Sequence, residues 1–289
     1  MSLLALLLVV FSAVSHPLWN LLLKRARDKL VASWLLWVTG ALCMVPFAVW
    51  GALSEPVQPT VWRYALGTSV VYVGYSLLLA RSYARGEISL VYPISKGVGP
   101  LGAAALAGIV LGERLPPLGL WGIMVVAAAV LVISWPERER RAPASPRLSA
   151  AVWPAIGVGL ATATYSVIDK QGVKYASPLL YLLLTNLGAA VLMAPLVLAR
   201  RGWAAVGREV RSSGWPTLWG AGALLAGGYL LVLFALRLAP AGYVVAVRST
   251  SVLFAVLLGH HVLGEPRVVQ RSLLGLAVLA GLAMLALAK

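Results

Sequence analysis

Residues 88–113 read ISLVYPISKGVGPLGAAALAGIVLGE, and residues 240–265 read PAGYVVAVRSTSVLFAVLLGHHVLGE. The two stretches lie 152 positions apart. In that register Leu111-Gly112-Glu113 falls on Leu263-Gly264-Glu265, Lys96 on Arg248 and, without any gap, Arg85 on Arg237. An offset of 150 places Ser12-Ala13 on Thr162-Ala163, Asn20 on Lys170, Lys24 on Lys174 and Ala26 on Ala176. Each stretch is apolar over most of its length, long enough to cross a hydrocarbon layer about 30 Å thick. Each also carries one cation inside the apolar run. The chain therefore reads as two copies of one membrane-embedded unit.

Working outward, apolar stretches of spanning length cover 2–23, 30–53, 61–80, 88–112, 116–135, 149–169, 178–199, 215–236, 240–263 and 268–288. This predicts an all-α integral membrane protein of ten transmembrane helices. Residues 1–135 form a first five-helix repeat, 136–148 a basic linker, and 149–289 a second five-helix repeat. Five is odd, so the second repeat enters the membrane from the opposite side. Inverted repeats of this kind build many secondary transporters, with the substrate site near the midplane between the halves. The segments left over, 136–148 and 200–214, leave no room for a soluble catalytic domain.

Composition narrows the function. The 289 residues are 61% hydrophobic and 11% charged, with mean hydropathy +0.89. Soluble chains are roughly 45–50% apolar and about 25% charged. The apolar excess excludes disorder, and the single Cys43 excludes a disulfide framework or a Cys-rich metal centre. The net charge of +15 suggests nucleic acid at first sight. Of the 24 Lys and Arg, however, 16 fall in or next to the connections after spans 1, 3, 5, 7 and 9, six on the other side, and two, Lys96 and Arg248, deep inside spans. That distribution over short loops is a topology signal. It places the odd connections in the cytoplasm and both termini outside, in a cell (inner) membrane, and leaves no basic face for nucleic acid. No Lys or Arg precedes the first apolar run, so Ser12-Ala13-Val14-Ser15 does not read as a signal-peptide cleavage site, and the first span is expected to be retained.

The arrangement of five and five spans, Lys24 ending span 1 with its echo in Lys174, and the Leu-Gly-Glu tag after spans 4 and 9 resemble the EamA-type drug/metabolite transporter superfamily. The resemblance covers nearly the whole chain. Within that superfamily the chain is most similar to amino-acid and metabolite exporters, including the aromatic amino acid (YddG-type) branch. It departs from the pattern in span 1, where Trp19 is followed by Asn20 rather than glycine.

Ionisable groups inside a span cost about 2.5–3.5 kcal/mol each on insertion scales and mark functional sites by default. Four lie deep in their spans: His16, Lys96, Asp169 and Arg248. Polar trios at helical spacing accompany them: Ser12, His16 and Trp19; Thr68, Tyr72 and Tyr75; Tyr92, Lys96 and Gly99; Thr162, Ser166 and Asp169. Each trio shares a helix face, and lipid satisfies none of them. Lys96 and Arg248 lie about four residues before the centres of their spans, roughly 6 Å along the helix. Inversion displaces Lys96 toward the cytoplasm and Arg248 toward the outside, giving two cationic stations for a carboxylate or phosphate; the competing reading pairs Asp169 with Arg248. His16 is a candidate proton carrier or a hydrogen-bonded interior residue. Pro93, Gly97, Gly99 and Pro100 around Lys96 suggest a hinge or broken helix.

The expected binding set is Lys96, Arg248, His16, Trp19, Tyr75, Tyr92, Ser95, Tyr165, Ser166 and Asp169. Spans 1, 3, 4, 6, 8 and 9 are expected to line the cavity, with space beside span 8 at Gly227 and Gly228. Glu113 and Glu265, shortly before prolines, read as caps of the next helix. His260 and His261 are adjacent and point apart, so no metal or other cofactor is expected. The small pairs Gly108/Gly112, Ala223/Gly227 and Ala277/Gly281 read as packing positions. The favoured function is export of amino acids or related small metabolites by alternating access. An organic-anion or phosphorylated-metabolite carrier is the runner-up. A membrane enzyme acting on lipid lacks any recognisable catalytic constellation, and a channel has no need of two inverted repeats. The expected partners are a small-molecule substrate and membrane lipid.

Overall fold

The computed structural model of the protein describes residues 1–85, 88–133, 146–254 and 268–288. Among them are ten helices and no strand: α1 Leu3–Arg25, α2 Lys29–Ser54, α3 Val61–Arg85, α4 Ile88–Leu111, α5 Pro117–Ile133, α6 Pro146–Gly172, α7 Pro178–Ser213, α8 Trp215–Leu238, α9 Ala241–Ser249 and α10 Val268–Leu287. Thr250 forms a turn after α9, and residues 251–254 are helical again. Linker residues 136–145, and His260, His261 and Glu265, lie outside the described residues.

Six described helices are long and apolar enough to cross a membrane by length and composition. Helix α3 is not among them although it has 25 residues. Its inward face carries Thr68, Ser69, Tyr72, Tyr75 and Ser76, which lowers its mean hydropathy and furnishes the interior. Helix starts follow ordinary capping chemistry. The Ser2 hydroxyl accepts from Ala5 N, the Asp28 carboxylate from Leu30 N and Val31 N, and the Ser177 hydroxyl from Leu180 N with Pro178 in the first turn. Helix α7 bends at Gly202, whose φ of 72° suits glycine, so the Trp203–Ser213 segment leaves the axis of the preceding span.

Helix α2 packs along α7, α5 along α10, and α4 along α9. Helices α3 and α6 pair as α8 and α1 do; α2 meets α8 as α7 meets α3; α4 meets α6 as α9 meets α1. Exchanging α1–α5 for α6–α10 in order maps these pairings onto themselves. The connections sort onto two ends. At one, Arg201 Nε lies 2.8 Å from Asp28 Oδ2, and Asp28 N donates to Glu209 Oε2 at 2.8 Å. At the other, Arg237 pairs with Glu55 at 2.7 Å, Lys170 with Glu113 at 3.2 Å, and Gln58 N donates to Tyr175 O. The connections after α1 and α7 thus share one end, and those after α2, α4, α6 and α8 share the other.

Two local expectations are corrected. Glu113 does not cap α5: its Oε2 accepts from Ala241 N in the first turn of α9, a helix 128 positions away, while Oε1 meets Lys170. A free helix N-terminus in the other half of the chain is a better partner than the start of α5, where proline already removes a donor. Gly227 and Gly228 do not open space beside the cavity. Gly227 is exposed, and a Cβ at Gly228 would lie 2.0 Å from Ser15 Oγ, so α8 is drawn tightly onto α1 there.

Candidate substrate site

The buried polar residues converge between the halves. Asp169 on α6 is fully buried. Thr68 and Tyr181 donate to its Oδ1, and Tyr229 donates to Oδ2. Three hydroxyl donors surround the carboxylate and hold it without a cation. Asp169 therefore does not pair with Arg248. The guanidinium instead sits over the Tyr229 ring, 4.8 Å from its centroid, and Nη1 donates to Tyr165 OH at 3.1 Å. Tyr229 separates the two charges, presenting its face to Arg248 and its hydroxyl to Asp169. Cation–π contacts of this kind strengthen when desolvated.

Around Arg248 lies a cavity of about 30 Å³ lined by Trp19, Trp37, Tyr72, Tyr75, Tyr165, Asn186, Leu225 and Tyr229. Trp37 stacks on Tyr72 at 4.6 Å, and Tyr165 stands edge-on to Tyr72, Tyr75 and Tyr229. Two polar groups in this aromatic box have no partner among the described residues: Arg248 Nε, and both side-chain atoms of Asn186. An unpaired buried polar group costs about 1–3 kcal/mol, so three such atoms at one cavity are a strong mark of a ligand site. The volume holds a water or two. Admitting a metabolite requires the surrounding helices to move apart.

A second, smaller cavity shares Tyr75 with the first and is lined by His16, Asn20, Leu79, Tyr83, Tyr92, Ser95, Lys96, Val158 and Thr162. Lys96 Nζ lies 3.0 Å from His16 Nε2, and Tyr92 OH lies 3.0 Å from His16 Nδ1 and 2.8 Å from Ser251 Oγ. The local sequence builds this arrangement. Pro100 has no N–H to offer the carbonyl of Lys96 four residues earlier, and Ser249 Oγ donates to that carbonyl at 2.8 Å, fastening α4 to the end of α9. Gly159 lets α6 press against α4, since a Cβ there would lie 2.8 Å from Ser95 O.

The two cations thus stand on either side of Tyr75, close enough to share a wall. Neither takes part in an ion pair among the described residues. Of the expected set, Trp19, Tyr75, Tyr165 and Arg248 line the larger cavity, and His16, Tyr75, Tyr92, Ser95 and Lys96 the smaller. Ser166 and Asp169 are buried behind them; Ser166 Oγ donates to Thr162 O within its own helix. Helix α4 is helical from Ile88 to Leu111. Within it, Gly97 packs closely on Leu131 of α5, and Gly99 faces α6 and α9 at ordinary contact distance; a tightened turn falls instead at Thr250, beside Arg248. Trp37 on α2 and Asn186 on α7 extend the lining beyond the six spans expected. The amide inside an apolar run is the faint sequence signal by which the second could be found; the first resembles any other tryptophan of an apolar run.

The sequence profile of the EamA-like transporter family matches residues 1–135 and again 149–287. Comparison with curated proteins gives no match. Among solved structures, one described only as the crystal structure of a protein superposes with a TM-score of 0.75 at 15% identity, covering 97% of this chain and 94% of that one. At that identity the likeness shows the fold alone. The profile covers nearly the whole chain, which belongs to the EamA-like transporter family. It is a multi-pass membrane protein of a transporter family, whose substrate is a small molecule.

Proposed function

We propose that this member of the EamA-like family is a secondary carrier of small carboxylate-bearing metabolites, amino acids foremost, working by alternating access between two inverted five-helix repeats. The observation that carries this reading is the aromatic box around Arg248 with Asn186. The guanidinium, with Nε unengaged, offers a fork to a carboxylate. Asn186 offers an acceptor to an ammonium and a donor to a second oxygen. Trp19, Trp37, Tyr72 and Tyr75 suit an apolar or aromatic body, in keeping with the resemblance to aromatic amino acid exporters. The inverted-repeat reading is supported by the family match to each half and by helix pairings that survive exchange of the halves. The charge distribution supports termini outside a cell (inner) membrane, which a C-terminal reporter active only on that side checks.

A second reading, an organic-anion or phosphorylated-metabolite carrier, is favoured by one observation. No carboxylate lines either cavity among the described residues, while two basic side chains, Arg248 and Lys96, do. Counterflow in proteoliposomes with L-phenylalanine, L-leucine, L-alanine, phenylpyruvate and a sugar phosphate separates the two. Saturable, stereoselective exchange of L-phenylalanine supports the amino-acid reading. Exchange confined to phenylpyruvate or the sugar phosphate replaces it with the second, and flux of every compound without saturation contradicts both.

A further inference from the structure

A hydrogen bond needs a lone pair on one side. Lys96 Nζ and His16 Nε2, 3.0 Å apart, are both proton-bearing when charged, and neither an ammonium nor an imidazolium has a lone pair to offer. The contact therefore holds one proton between the two atoms: an ammonium facing a bare Nε2, or an amine facing Nε2–H. The other side of the ring bears on which. Tyr83 OH donates to Asn20 Oδ1 at 3.2 Å, which turns Asn20 Nδ2 toward the imidazole. There it donates to His16 Nδ1 and to the carbonyl of His16, both at 2.9 Å. A ring nitrogen that accepts carries no proton, so this arrangement calls for a proton on Nε2 and a neutral amine on Lys96.

The surroundings isolate this pair. On the elements packed against it, the ionisable groups lining the two cavities are Tyr72, Tyr75 and Tyr83 on α3, Tyr92 on α4, Tyr165 on α6, Tyr229 on α8 and Arg248 on α9, with Asp169 buried behind them on α6. Helix α5, which also packs on α4, has no ionisable side chain in Pro117–Ile133. The one acid in this set, Asp169, is surrounded by three hydroxyls. Nothing among the described residues supplies Lys96 with the anion that a second proton calls for. A substrate carboxylate does.

We infer that Lys96 and His16 are a proton-loading site: with the cavity contracted they share one proton, and a substrate carboxylate that reaches Lys96 draws a second onto the pair, so that one proton moves with each substrate. The step is Lys–NH₂ plus H⁺ giving Lys–NH₃⁺; no covalent bond between heavy atoms changes, and the carboxylate's charge is balanced by the ammonium's. An opposite charge within about 4–6 Å favours the charged form of a base, and the carboxylate gives Lys96 an acceptor other than the imidazole. Net movement then follows the product of the substrate and proton gradients, and a metabolite concentrated inside leaves with a proton. This inference rests on the carrier reading above.

The test uses the full chain in proteoliposomes, with membrane potential held at zero and the lumen one pH unit more alkaline, and radiolabelled L-phenylalanine and phenylpyruvate as probes. One proton per substrate gives about tenfold accumulation at equilibrium. Exchange at equal pH is measured alongside. Lys96→Arg puts a permanent cation there, which does not release its proton, and His16→Gln removes the partner; in both, accumulation normalised to exchange is expected to fall at least fivefold. Wild-type exchange that ignores the pH gradient, or a Lys96→Arg variant that accumulates like wild type, overturns the inference and leaves the carrier reading standing. Absence of wild-type exchange of both probes counts against the carrier reading instead. The proton site is then judged by nitrogen NMR of lysine- and histidine-labelled protein, with Lys96→Arg and His16→Gln assigning the signals. A pair holding one proton near pH 7 and gaining one on acidification supports it; an ammonium together with an imidazolium at pH 7 overturns it.

Discussion

Asn186 is the residue whose chemistry is least explained by folding. It is fully buried, and neither its amide oxygen nor its nitrogen finds a partner among the described residues. Replacing an unsatisfied buried polar group by an apolar one of similar size is neutral or stabilising. Asn186→Leu is therefore expected to hold or raise the thermal midpoint in detergent while raising the KM of counterflow about tenfold or more, the two measured on the same preparation. A lower midpoint with unchanged KM assigns Asn186 a structural role instead. The ionisable residues were legible in the sequence because a charge inside an apolar run is conspicuous, and Lys96, Arg248 and His16 do face the two cavities. Asn186, Trp37 and Tyr229 were not. A neutral amide or an aromatic ring costs little in hydropathy, so its direction is fixed only by which helices it packs between. Asp169 was legible as a polar position, but its three hydroxyl partners come from α3, α7 and α8, and no spacing within α6 announces them.

At the scale of elements, glycine and proline set how closely the site-bearing helices approach. Gly159→Ala places a methyl group against the α4 backbone at Ser95, where the neighbouring atom is a carbonyl with little freedom to give. Overpacking of this kind costs about 1–3 kcal/mol. It is expected to lower the thermal midpoint and to move α4, with Lys96, away from His16, so stability and transport fall together, unlike the Asn186 case. Span positions were readable from apolar run length. The end of α7 was not, because Gly202 redirects the chain and the helix resumes as a polar segment that buries Glu209 against the α1–α2 connection. Helix α9 was read as part of one span; at Thr250, beside Arg248, it tightens into a turn with φ −61° and ψ −13° and is helical again over 251–254. Ser249-Thr250-Ser251 supplies the hydroxyls that tie the tightened backbone, Ser249 to Lys96 O and Thr250 to Val247 O.

Across the whole molecule, ion pairs join the two halves at their ends: Arg237 to Glu55, Lys170 to Glu113, and Arg201 to Asp28. Glu55 lies outside the spans, and its hydrogen bonds from Arg237 hold its carboxyl below the usual carboxylate value of 4.5. A depressed carboxylate contributes stability that is present above that value and lost as pH falls through its folded one. For so exposed a pair the contribution is about 0.2–1 kcal/mol. Glu55→Gln is expected to lower the thermal midpoint slightly at pH 7 and to leave it unchanged once the pH is low enough to protonate Glu55 in the wild type; an equal deficit at both pH values contradicts the assignment. The Lys96–Arg248 register accords with helix pairings that survive exchange of the halves, but it did not announce the unequal surroundings, in which Lys96 contacts an imidazole and Arg248 a group of tyrosines. Arg248 as the carboxylate station is tested most directly by counterflow of L-phenylalanine and phenylpyruvate in wild type and Arg248→Gln, at matched protein incorporation. Saturable wild-type exchange is expected to fall by roughly tenfold or more in the variant, the scale of a lost charge-assisted hydrogen bond; equal exchange by both proteins would contradict that role.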